Sequence, residues 1–94
     1  MKQFSIRVPV SIFREGKRFV AYSPALDLST SGKTLPETRR RFAEAVEILF
    51  EELDDLGTAD EVLTGLGWER VKRSWKPPLP ISHELEDFRV PLPV

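Results

Sequence analysis

The chain contains no cysteine and a single histidine. The first absence removes disulfides and thiolate metal ligation, and the second removes any histidine cluster. No apolar run comes near the ~18 residues that span a membrane. The opening Met1-Lys2-Gln3-Phe4 alternates in polarity where a secretory leader would carry an unbroken apolar core. A cytoplasmic protein is expected. Neither charge is in large excess, with 14 Lys and Arg against 15 Asp and Glu, so binding a polyanion would need a local basic patch. Ninety-four residues make one small domain with one core. Such a chain buries only ~60–65% of its extended surface, and self-association would add what the core lacks.

What is present begins with alternation. Phe4, Ile6, Val8, Val10 and Ile12 interleave with Ser5, Arg7, Pro9 and Ser11, the period of a half-buried strand. Glu15-Gly16-Lys17 predicts a turn, and Arg18–Ser23 a second strand that Pro24 stops. Leu28–Gly32 predicts a short polar third strand, completing an antiparallel meander. Thr34 with Glu37 forms a capping box, and Pro36 fits the first turn of the helix that follows. Leu35, Phe42, Val46, Leu49, Leu53 and Leu56 make its apolar stripe, and Gly57 its stop. A second capping box, Thr58 with Glu61, predicts a short helix over Ala59–Leu66 with Val62, Leu63 and Leu66 inward. Trp68–Trp75 reads as a fourth strand.

Composition changes at Lys76, since five of the eight prolines fall in the last eighteen residues. Residues 1–76 are therefore expected to form the domain, and residues 77–94 a proline-rich arm. Phe88, Val90, Leu92 and Val94 alternate with Arg89, Pro91 and Pro93, which blocks one row of amide donors. The arm is thus an edge strand or a segment laid on another subunit. The expected fold is α+β: β-β-β-α-β with the helix on one face of a small antiparallel sheet, a short second helix and an extended arm.

The long helix breaks two local rules. Ile48 stands roughly 130° from the centre of the apolar stripe at ~100° per residue, facing away from the core. Charges oppose the helix dipole, with Arg39, Arg40 and Arg41 near the start and Glu51, Glu52, Asp54 and Asp55 near the end. Ile48, Glu51, Glu52, Asp54 and Asp55 are accordingly the candidate partner-binding residues, the competing reading being a solvated face.

Catalysis finds no support. His83 lies in the proline-rich tail without a nucleophile elbow. Ser31-Gly32-Lys33-Thr34 resembles the end of a phosphate-binding loop, but Asp27 stands where that loop needs its first glycine. No metal or cofactor is expected, and the chain reads as a non-enzyme. Arg70, Lys72, Arg73 and Lys76 interleave with Trp68 and Trp75, a composition suited to single-stranded RNA. The competing reading makes both tryptophans core or subunit-interface anchors. Trp68, Trp75, Phe88, Val90 and Leu92 are then the candidates for self-association into a dimer or tetramer.

Tyr22, Pro24 and Leu26, followed by Gly32 and the Thr34-capped helix, resemble the N-terminal core of the HicB-like antitoxins. The likeness runs from Ile6 to about Leu56. It implies a partial RNase H-like fold and a protein that neutralises a small basic, mRNA-cleaving HicA-like toxin by covering its RNA-binding and catalytic surface. Nuclease chemistry is not implied, because the first strand offers no carboxylate for metal ions. The chain departs from the fuller family pattern, since no second long helix follows to enter a DNA groove. Operator binding therefore has no motif to carry it. A solitary homo-oligomeric HicB-like binding domain without a toxin is the alternative, and single-stranded RNA binding the third.

Overall fold

Proline and turn chemistry set the sheet, as seen in the computed structural model, which describes residues 5–92. Strands β1 (Ser11–Glu15), β2 (Arg18–Ser23) and β3 (Leu28–Gly32) form an antiparallel meander in that order. The expected turn joins β1 to β2, with Gly16 at φ 60°. The first strand is shorter than its alternation predicts. Ser11 pairs with Tyr22, and β2 ends one residue later, before Pro24. Residues 5–10 therefore run past the end of β2 and have no ladder to join. Ile6 and Val8 still face inward, packing against the core without strand pairing. Phe4, which the alternation assigns to the same strand, lies outside the described residues.

Register fixes which side chains meet the helix. Ile12 pairs with Ala21 and Ala21 with Thr30, while Phe19 pairs with Gly32. These positions share the face that carries helix α1 (Leu35–Leu56). Thr34 caps the helix by accepting from the Glu37 N–H at 3.2 Å. The Glu37 carboxylate answers one residue further back than a capping box requires, accepting from the Lys33 N–H at 2.9 Å. At the other end Gly57 adopts the left-handed conformation, φ 66°, and its N–H and that of Thr58 close on the Asp54 and Leu53 carbonyls.

Phe42 and Leu53 are buried beneath the helix, and Val46 and Leu49 half-buried. The two ends of the predicted stripe are not: Leu35 and Leu56 are exposed. Length explains this, because 22 helical residues span ~33 Å, whereas strands of five or six residues reach only ~17–20 Å. Thr38 replaces them in the core, fully buried, its hydroxyl donating to the Thr34 carbonyl at 2.8 Å. Gly32 makes room for it, since a Cβ there would sit 2.6 Å from Thr38 Oγ1 and 2.9 Å from Thr38 N.

Helix α2 (Ala59–Gly65) follows at once, with Leu63 buried. Its expected capping box does not form. Thr58, at φ −111° and ψ 8°, is not in the extended conformation of a cap, and its N–H is engaged in closing α1. The fourth strand divides into β4 (Glu69–Val71) and β5 (Ser74–Lys76), a separate hairpin turning at Lys72 with φ 57°. Ala25, Leu26, Leu63 and Trp68 form the main core at this end of the molecule. Beyond Lys76 no described residue belongs to a helix or strand. Leu79–Leu92 are exposed throughout.

Candidate functional site

The outward face of α1 collects the first group of candidates. Glu44, Ile48, Glu51, Glu52 and Asp55 are spaced by three and four residues and so share one side of the helix. All are exposed, Ile48 by 56%. Asp54 is exposed too, but stands about 120° further round the helix. Glu44 belongs to the stripe and is missed when only the helix end is read for charge. Among the described residues none of these carboxylates forms an ion pair, and no basic residue occupies the last turn of α1. An apolar side chain amid four unpaired acids offers a basic partner both charge attraction and a contact that excludes water.

The opposite end of α1 satisfies itself. Arg41 bridges Glu37 at 3.0 Å and donates to the Ser31 carbonyl at 3.2 Å. The Lys33 N–H holds the Glu37 carboxyl below the usual carboxylate range; desolvation opposes it, and Arg41, the Thr34 backbone and Arg40 add to the lowering. The helix N-terminus thus carries its own carboxylate where an anion would otherwise sit.

The basic–aromatic group separates in space. Trp68 is only 2% exposed, and its indole N–H donates to the Ala25 carbonyl at 2.6 Å. Of the core and interface alternatives, the residue takes the first: it is an anchor inside its own protomer, where its ring fills the core and its one polar atom is satisfied, and it presents no surface for self-association or RNA. Trp75 is half-buried and lines a shallow hollow with Ile6, Arg7, Val71 and Pro77. The Arg70 guanidinium lies 5.6 Å from its ring centroid and also meets Asp60 at 3.3 Å. Lys72 and Arg73 form the hairpin turn and Lys76 ends β5, all three exposed. Bases seeking two free aromatic faces would find one ring buried and the other partly covered by arginine.

The remaining candidates lie on the arm, where Phe88, Val90 and Leu92 are 78%, 63% and 71% exposed. Apart from them, an open groove of about 400 Å³ runs between β1 and α1, lined by Val10, Ile12, Ala21, Arg39, Phe42 and Ala43. It was not legible as a surface in the sequence, where Val10, Ile12 and Phe42 read simply as core. Among the described residues no group of three or more His, Asp or Glu is placed to hold a metal ion, and no helix is long and apolar enough to cross a membrane. No family model, curated protein or solved structure matches the chain.

Proposed function

We propose that the chain is a protein-binding module of the HicB-like antitoxin kind, which neutralises a small basic mRNA-cleaving toxin by stoichiometric occlusion. The observation that carries this reading is the acidic face of α1. Ile48, Glu51, Glu52 and Asp55 stand exposed and unpaired toward the C-terminal end of the helix, where acids oppose its dipole. A helix optimised only for stability gains nothing from that arrangement, whereas a cationic partner would be steered to it. The motif through Tyr22, Pro24, Leu26 and Gly32 supports the family assignment. In this mechanism the chain performs no chemistry; it excludes RNA from the toxin by occupying the same basic surface.

The reading is tested by expressing a small basic reading frame neighbouring the gene, alone and with this chain. Growth arrest that the wild-type chain relieves, and that Glu51→Lys with Asp55→Lys relieves less, is the expected result. Equal relief by the charge-reversed chain would remove the acidic face from the mechanism, and no toxic neighbour would remove the antitoxin. The exposed arm favours a second reading, a solitary homo-oligomeric binding domain. Single-stranded RNA binding has the weakest support, since Trp68 is turned into the core.

A further inference from the structure

The arm and the groove are each incomplete in one protomer, and their chemistries match. In an extended chain, alternate residues send their side chains to one face and their amides to one edge. Phe88, Val90 and Leu92 therefore present three apolar side chains on one face and three amide donors on one edge. On the opposite edge Pro91 has no N–H, which leaves Arg89 as the lone donor there. Such a segment joins a sheet through one edge only. On the receiving side, β1 is an outer strand of the sheet, paired to β2 alone. Beside it, Val10, Ile12 and Phe42 line the open groove under α1. Lengths agree, five residues in β1 against five from Phe88 to Leu92. Charge agrees as well: the arm carries Glu84, Glu86 and Asp87 against one arginine, and the groove is bordered by Arg39.

We infer that residues 88–92 of one copy add as an edge strand to β1 of a second copy, seating Phe88, Val90 and Leu92 in the groove between β1 and α1. The exchange is reciprocal, so the product is a two-fold dimer in which each arm completes the partner's sheet. Proline on the outer edge then stops a further strand from adding. This surface is distinct from the acidic face of α1 and does not rest on the antitoxin reading.

The test uses the full chain, purified alone, with mass measured by light scattering after size exclusion. Val90→Pro removes a donor from the pairing edge, while Arg89→Pro removes the lone donor from the opposite edge. Both substitutions keep the backbone extended, and both lie in an arm that the folded body does not bury. Ala43→Arg fills the groove from an exposed helix position. The wild-type chain and Arg89→Pro are expected to run as dimers, and Val90→Pro and Ala43→Arg as monomers. Mixing the two monomeric variants should restore a dimer held by a single arm, because one retains its groove and the other its arm. A monomeric wild type, a dimeric Val90→Pro, a monomeric Arg89→Pro or a mixture that stays monomeric would each overturn the proposal.

Discussion

Trp68 ties the α2–β4 junction to the Pro24–Asp27 turn through a single buried hydrogen bond. Trp68→Phe keeps most of the ring but leaves the Ala25 carbonyl without its donor, at an expected cost of about 1–3 kcal/mol, read by urea denaturation. Ser23 provides the contrast. Its hydroxyl is buried with no hydrogen-bond partner among the described residues, so Ser23→Ala should leave stability unchanged or raise it slightly. Gly32→Ala pushes a methyl group against Thr38, and an overpacking cost of about 1–3 kcal/mol follows. Adding Thr38→Ala should relieve only part of that cost, because the Thr38 backbone nitrogen, 2.9 Å from the added Cβ, remains.

Helix α1 is secured at its N-terminal end, and the proposed partner would meet the other end. Glu37 stabilises the capped end while ionised, and its folded-state pKa is depressed below 4.5. Its contribution is therefore present at neutral pH and lost as pH falls through the depressed value. The difference in thermal midpoint between wild type and Glu37→Gln should accordingly vanish in acid. At the far end, Asp54→Lys and Asp55→Lys should each raise stability by about 0.3–1 kcal/mol, and Asp55→Lys should slow association with a basic partner. A single substitution that strengthens the fold and weakens binding is the signature of a helix end shaped for a partner. The helix was legible because Thr34, Pro36 and Gly57 mark its ends and its stripe keeps one period. Its overhanging Leu35 and Leu56 were not, since helix pattern says nothing about the length of the sheet beneath. The β4–β5 hairpin escaped for a related reason: its turn uses Lys72 at positive φ, where Gly or Asn would have announced it.

The whole molecule measures 54 × 29 × 22 Å with a radius of gyration of 16.2 Å, against about 12 Å expected of a globular chain of this length. An arm that the folded body leaves exposed is consistent with the excess. Composition put the arm's boundary at Lys76, where β5 also ends, because clustered prolines are a local signal. The α+β class was legible for the same reason. The open groove was not, since it is a property of a surface that the strand and helix periods do not encode. The acidic face was half legible: Ile48 and the terminal acids stood out, but Glu44 joined them only once the helix was built. As proposed above, this face serves a basic protein partner. The measurement that tests it most directly is native mass spectrometry of the chain purified gently from its own cells. A second, basic chain held in fixed stoichiometry is the predicted result. The chain alone, as monomer or dimer with no second protein attached, would contradict it.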